Sequence, residues 1–257
     1  MNETTPKKSK NFIQFVGHSC VWVTLDGQHF LIDTNFSNRI VGLKRHSKLG
    51  IDLHHLPDVS ALLVTHAHYD HLDLFSYKYF PQNKTIVSPP GLEHLIHRFL
   101  HNPVVELETG KTFEVGTVKV TAVPTKHIGF RVSGLRYTRC TGYVIEGAGF
   151  TIYHPGDTCY GDHFREIGQK FKIDVALLPI GAYRPRWFMK SRHMSPDDAL
   201  QAFKDLGAKT MIPIHWGSFR LAFDPIDEPL QILKQNFQVV ADSSFLKVLQ
   251  PGESLIL

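Results

Sequence analysis

Eight residues, His66 to Asp73, read His-Ala-His-Tyr-Asp-His-Leu-Asp and follow directly on the apolar run Ala61–Val64. The imidazoles and carboxylates in that span offer nitrogen and oxygen donors together, the set that a borderline divalent cation such as zinc accepts. Without a cation, such groups at the end of a buried strand are left unpaired at about 1–3 kcal/mol each. Adjacent residues of an extended turn point in different directions, so His66 and His68 can face one ion while Asp70 and His71 face a second. The sequence holds 16 histidines. A lone histidine is more often a structural hydrogen-bonding group than a ligand, and clustering is what sets these apart.

Ligand-type residues close other apolar runs as well. Val118–Val123 leads to His127, Phe150–Tyr153 leads through Pro155-Gly156 to Asp157, Met211–Ile214 ends at His215, and Phe30–Ile32 ends at Asp33. Donors at the ends of separate strands are how open α/β sheets assemble a site. Asp157 also reads as a turn residue after Pro-Gly, and His215, ahead of Trp216-Gly217, as a core histidine.

The elements that must position these donors are many short strands and few helices. Further strands are predicted at Phe12–Val16, Val21–Leu25, Thr85–Val87, Gly142–Ile145, Val175–Ile180 and Phe245–Leu249, several bounded by Gly, Pro, Asp or Asn. Helices are predicted in the segments 91–101, 164–171 and 195–207. The last is marked by Ser195 as N-cap, Pro196 in the first turn, Asp198 completing a capping box and Gly207 as terminator. Strands and helices interleave, which gives an α/β or α+β class. The stretches 18–36 and 139–160 share a plan of apolar run, glycine turn, apolar run and Asp-Thr step, at Asp33-Thr34 and Asp157-Thr158, so two related halves are expected.

A chain of 257 residues, 42% hydrophobic and 20% charged, suffices for one large domain, expected over residues 11–257. Residues 1–10 carry the Lys7–Lys10 cluster without an apolar run and read as a disordered tail, not a signal peptide. No window approaches the roughly 18–20 apolar residues of a membrane span. Three cysteines, Cys20, Cys140 and Cys159, lack metal-type spacing and point to a reducing compartment. The expectation is a cytoplasmic protein. Peripheral contact with a membrane and a homodimer are left open, as is a role for Cys159 beside Asp157.

The strings THAHYDHLD, PGDT and IHWG, in that order with a histidine between, resemble the metallo-β-lactamase superfamily of binuclear metal hydrolases, whose fold is an αββα sandwich of two similar halves. Within it the chain is similar to the N-acyl-phosphatidylethanolamine-hydrolysing phospholipase D family, through GHSCVWV, GDTCYGDHFREIG, LLPIGAYRPRWFMKSRHMSPDDA, IHWGSF and LKVLQPGE. The resemblance implies that His66, His68 and His127 hold a first metal, that Asp70, His71 and His215 hold a second, and that Asp157 and a hydroxide bridge them. It places His193 in the lining of the catalytic centre. It also departs from that family: the animal enzyme's N-terminal extension is missing, its tryptophan pair is replaced by Thr109-Gly110-Lys111, and the tryptophan after its third metal histidine is Ile128. These departures bear on the lipid, not on hydrolysis.

The expected cofactors are two divalent ions, zinc first, with iron or manganese as alternatives. Paired ions acidify a shared water and suit attack on phosphorus or carbonyl carbon. Asp70 and Asp157 would orient the nucleophile, and His193 would donate a proton or hydrogen bond. Arg184, Arg186 and Arg192 are candidates to neutralise a phosphate, interleaved with Tyr183 and Trp187 as an amphiphilic lip; a solvated loop explains the same residues. The leading expectation is a phosphodiesterase of phospholipase D type acting on a phospholipid or smaller diester. The alternative is a lactonase or other C–O hydrolase, sugar-phosphate lactones included. A nuclease is disfavoured because no large nucleic-acid domain fits between Asp157 and His215 and no basic aromatic stripe is present, so nucleic acid is not an expected partner. Di-iron redox members of the superfamily carry glutamate where this chain has His68. A non-catalytic binding module, the last alternative, would be expected to have lost Asp70 or a metal histidine.

Overall fold

The computed structural model describes residues 11–131, 136–240 and 242–257. The expected tail, residues 1–10, lies outside them. The chain runs through β1 (Phe12–Gly17), β2 (Cys20–Leu25), β3 (Gln28–Ile32), β4 (Arg39–Ile40), β5 (Leu43–Lys44), β6 (Ala61–Leu63), β7 (Ile86–Ser88), α1 (Glu93–His97) and β8 (Val104–Glu106). It continues through β9 (Thr112–Val115), β10 (Val118–Val123), β11 (Gly129–Arg131), β12 (Arg136–Thr138), β13 (Gly142–Gly147), β14 (Phe150–His154), α2 (His163–Lys170) and β15 (Val175–Pro179). The last elements are α3 (Arg186–Met189), α4 (Pro196–Leu206), β16 (Thr210–Ile214), α5 (Glu228–Val240) and β17 (Ser254–Ile256).

Two sheets carry the fold, one ordered β17-β1-β2-β3-β6-β7-β8 and the other β16-β15-β14-β13-β10-β9. Each is antiparallel through a hairpin and then turns parallel: β2 and β3 are followed by parallel β6, and β13 and β14 by parallel β15. Both hairpins close on two residues with positive φ, Asp26-Gly27 (47° and 75°) and Ala148-Gly149 (54° and 81°). Mirror-image turns of this kind match the right-handed strand twist. The two expected halves are therefore present, and Asp33 and Asp157 leave corresponding strands, β3 and β14.

The inner faces of both sheets share one core, in which Phe15, Phe30, Ile145 and Tyr143 are buried. The fully buried run of β15 has both faces covered. A second apolar cluster, with Leu62, Tyr77, Phe80 and Ile96, packs on the outer face of the first sheet. On the second sheet α4 packs between α2 and α5. The layers are those of an αββα sandwich.

The α4 boundaries follow their caps: Ser195 accepts from the Asp198 amide, Asp198 returns a bond to the Ser195 amide, and Gly207 ends the helix at φ 61°. Two sequence expectations change. Segment 91–101 forms only the short α1. The expected strand Phe245–Leu249 is instead a 3-10 turn, Ser243–Phe245, followed by a single bridge from Leu246 to Met211. Helix α5 and the terminal strand β17, which pairs with β1, were not anticipated. Pro229 masks the start of α5, although proline is tolerated in a first helical turn, while Leu233 and Phe237 form its buried face. Among the described residues, no helix is long and apolar enough to cross a membrane.

Phe237 is fully buried, with its ring 5.6 Å from that of Phe203 on α4. Replacing Phe237 with Ala is expected to cost about 3–5 kcal/mol in urea-induced unfolding, the signature of a helix that is part of the core and not an appendage.

Candidate metal centre

The donors converge where the strands of both sheets end. His66, His68, Asp70 and His71 follow β6, His127 follows β10, Asp157 follows β14 and His215 follows β16. Close backbone approach makes this possible. Gly156, at φ 65°, stands so near Thr65 that a Cβ would lie 2.7 Å from the threonine Cβ, and a Cβ on Gly181 would meet the His215 carbonyl at 2.2 Å. His215 itself holds φ 58°, an uncommon conformation for a residue with a side chain.

Among the described residues, three groups of donors lie with their ligand atoms within 4.8 Å of one another: His66, His68, His127 and Asp157; His18, Asp70, His71 and His215; and Asp157, His193 and His215. Asp157 joins them. Its Oδ2 is 3.2 Å from His71 Nε2, 3.7 Å from His66 Nε2, 3.9 Å from His127 Nε2 and 3.8 Å from His193 Nδ1, while Oδ1 is 3.3 Å from His215 Nε2. Asp70 Oδ2 lies 2.9 Å from His18 Nε2, 3.3 Å from His71 Nε2 and 3.4 Å from His215 Nε2.

Outer partners decide which ring nitrogen each histidine offers. His71 Nδ1 donates to Asp33 Oδ2 at 2.7 Å. Thr65 donates to the same carboxylate from its hydroxyl at 2.7 Å and from its amide at 2.8 Å, leaving its Oγ1 to accept from His66 Nδ1 at 2.9 Å. His127 Nδ1 donates to the Arg192 carbonyl at 2.9 Å. The Nε2 atoms of His66, His71 and His127 are thus directed inward, as lone pairs on the neutral rings of His66 and His127 and, once its proton is displaced, on His71, the usual consequence of an outer hydrogen bond on a metal histidine.

A cation fits this arrangement. His68 Nδ1 lies 2.9 Å from His66 Nε2 and 3.3 Å from His127 Nε2, yet one proton on His68 can serve only one of them. The buried atoms His71 Nε2, His215 Nε2, His193 Nδ1 and Asp157 Oδ1 have no hydrogen-bond partner. A divalent ion resolves both conditions.

Electrostatics agrees. Burial pushes the imidazoles of His18 and His68 down to about 4 and His193 down to about 3, and lowers His66 and His127 as well, so these rings are neutral near pH 7. His71 and His215 go the other way. Burial opposes their protonation, but the Asp157 and Asp70 carboxylates overcome it and raise His71 well above its usual value and His215 to about 9. Burial would raise Asp70 and Asp157 too; the neighbouring His71 and His215 hold both well below the ordinary carboxylate range.

The proposed substrate residues are placed differently. Arg184 pairs with Glu228 at 2.6 Å, and Tyr183 is buried with its hydroxyl donating to Glu228 at 3.1 Å. Arg186 pairs with Asp198 and donates to the His193 carbonyl at 3.0 Å, so it holds the loop that carries His193. Arg192 lies 4.1 Å over the Phe188 ring and donates to the Phe188 carbonyl. Trp187 is 86% exposed on α3. Cys159 is half-buried, and burial raises its thiol. Sequence reasoning gave no role to His18 and stopped at noting Asp33 as a strand end. A histidine in the tight Gly17-His18-Ser19 turn between two strands, itself at φ 60°, was the available signal for the first.

Residues 28–216 match the family model described as a β-lactamase superfamily domain. An N-acyl-phosphatidylethanolamine-hydrolysing phospholipase D from Caenorhabditis elegans is 35% identical over 263 residues, covering 92% of this chain and 73% of that protein. A mitochondrial yeast protein of the same name, from Saccharomyces cerevisiae, is 28% identical over 91% of this chain, which spans 53% of its length. Among solved structures, a metallo hydrolase from Ignicoccus hospitalis superposes with a TM-score of 0.74 at 23% identity, covering 97% of this chain and 99% of that one. The chain belongs to the metallo-β-lactamase superfamily of metal-dependent hydrolases, and the phospholipases D that hydrolyse N-acyl-phosphatidylethanolamine are among its homologues.

In the metal-free protein the Asp157 and Asp70 carboxylates favour protons on His71 and His215, and a metal held there would displace them. Zinc loading at pH 7 is therefore expected to release about two protons per chain, fewer as the pH rises through 9, with apparent affinity rising over the same range. Calorimetry in buffers of different ionisation enthalpy measures this directly; proton release independent of pH would contradict the assignment.

Proposed function

We propose that the chain is a binuclear metal-dependent phosphodiesterase of phospholipase D type. The observation that carries the reading is Asp157, one carboxylate within 4 Å of donors from both clusters. His66, His68 and His127 hold the first ion, Asp70, His71 and His215 the second, and Asp157 lies between. The nitrogen-rich donor set favours zinc over the harder cations. When bound, two such ions acidify a water and polarise an oxygen of the scissile group.

The chain's own groups do the rest. Asp33 and Thr65 fix the tautomers of His71 and His66, and His18 fixes the rotamer of Asp70 through its Oδ2. His193 is neutral at pH 7 and offers a hydrogen bond to a substrate oxygen rather than a proton. Arg186 acts by positioning: it ties the His193 carbonyl to Asp198 at the start of α4. Trp187, Phe223 and Ile128 are 86%, 75% and 59% exposed. Ile128 adjoins His127, Trp187 sits on the helix that leads to His193, and the Phe223 amide donates to the Arg184 carbonyl at 3.3 Å. An apolar rim of this kind suits an amphiphilic substrate presented at a membrane surface. Three unpaired cysteines suit the cytoplasm.

The test is a panel of bis(p-nitrophenyl) phosphate, N-acyl-phosphatidylethanolamine, phosphatidylcholine and a homoserine lactone, assayed with zinc and with manganese on the parent and on Asp70→Asn. Diester cleavage is expected, with kcat/KM falling about a hundredfold or more in Asp70→Asn while Tm moves by only a few degrees. Inert diesters with an opened lactone would replace the reading with that of a lactonase.

A further inference from the structure

The arginines near the centre are already committed. Arg184 and Arg186 are ion-paired and Arg192 is stacked, as described above. Arg131 is buried and donates to the Ala67 and Leu72 carbonyls, 4.0 Å over the Tyr69 ring. Arg45 donates to the Asn35 and Ser37 carbonyls. Arg139 differs: it is exposed, and among the described residues it makes no ion pair, hydrogen bond or ring contact.

Arg139 lies on the wall of a cavity of about 240 Å3 that Pro89, Leu107, Thr109, Thr125 and His127 also line. His127 belongs to this wall and to the first donor cluster at once, so the cavity adjoins the centre across one imidazole. Thr125 ties it to the centre a second time, its hydroxyl donating to the Asp157 carbonyl oxygen at 3.0 Å. A larger cavity, about 530 Å3 beside Phe36 and Phe75, has no donor histidine in its wall. The smaller volume falls below the roughly 300–1,000 Å3 of sites that enclose drug-sized ligands. It accommodates a headgroup-sized fragment and not an acyl chain.

We propose that this cavity is a substrate subsite in which Arg139 grips an anionic group, phosphate or carboxylate, on the small alcohol esterified to the scissile phosphate. The proposal rests on the phosphodiesterase reading. A guanidinium with open donors forms paired, charge-assisted bonds with planar or tetrahedral oxyanions. It repels a quaternary ammonium at the same distance. The subsite thus selects diesters of anionic alcohols over those of choline.

Three p-nitrophenyl phosphodiesters built on a two-carbon alcohol test this: choline, ethylene glycol and glycolate, which place a positive, neutral and negative group in the cavity. The zinc-loaded parent is expected to prefer the glycolate over the choline diester by about tenfold or more in kcat/KM. Arg139→Met should bring the two within about threefold, and Arg139→Glu should reverse their order, with metal content and Tm as in the parent. A preference unchanged in both variants overturns the subsite, even where all three diesters are cleaved. If the diesters are inert and lactones are opened, the phosphodiesterase reading fails by itself. A pair of γ-lactones with and without a pendant carboxylate then decides Arg139 by the same ratio: loss of the carboxylate preference in Arg139→Met supports the grip, and an unchanged ratio refutes it. A fourth diester, of 2-phosphoethanol, extends the test to phosphate: a preference of the parent for it over the choline diester that Arg139→Met removes supports the grip, and equal handling of all charges by the parent overturns the proposal outright.

Discussion

Two carboxylates, Asp70 and Asp157, are buried together at the junction of the sheets, and ionised groups in such a place must be matched by positive charge. In the metal-free protein the match comes from protons on His71 and His215. That is an expensive arrangement for its own sake, since apolar residues of similar volume would pack there with less desolvation. It is intelligible as a site prepared for cations. Asp33 shows how far outward this preparation extends. It is fully buried, accepts bonds from His71 and Thr65, and so controls two of the inward-facing nitrogens through one side chain.

The duplicated architecture explains why the two aspartates divide the work. Asp33 and Asp157 leave corresponding strands in the two halves, yet the first orients ligands and the second stands among them. The loop after β6 carries four donors in six residues, His66 to His71, whereas the second half supplies its donors singly from separate strand ends. Face-to-face packing of the sheets brings the two contributions together.

The sequence made the donor loop legible because its residues are adjacent, and the hairpins legible because a glycine turn interrupts two apolar runs. It also placed α4 accurately, since cap, proline and terminator are all local signals. Long-range features were less accessible. Nothing local reveals that Leu255 and Ile256 pair with Ile13 and Phe12 across the whole chain. The role of His18 depends on where Asp70 lies, 52 positions away. Arg184 and Arg186 looked available because their partners, Glu228 and Asp198, are brought to them only by helices. Arg139 drew no notice for the converse reason: its significance is the absence of a partner among the described residues, which only the folded chain displays.

The central claim is that Asp157 makes the two clusters one centre. Electron paramagnetic resonance of the manganese-loaded protein addresses it most directly, because two manganese ions sharing a carboxylate are exchange-coupled and two separate ones are not. The account predicts a coupled, multiline spectrum in the parent that is lost in Asp157→Ala. The six-line spectrum of isolated manganese in the fully loaded parent would contradict it.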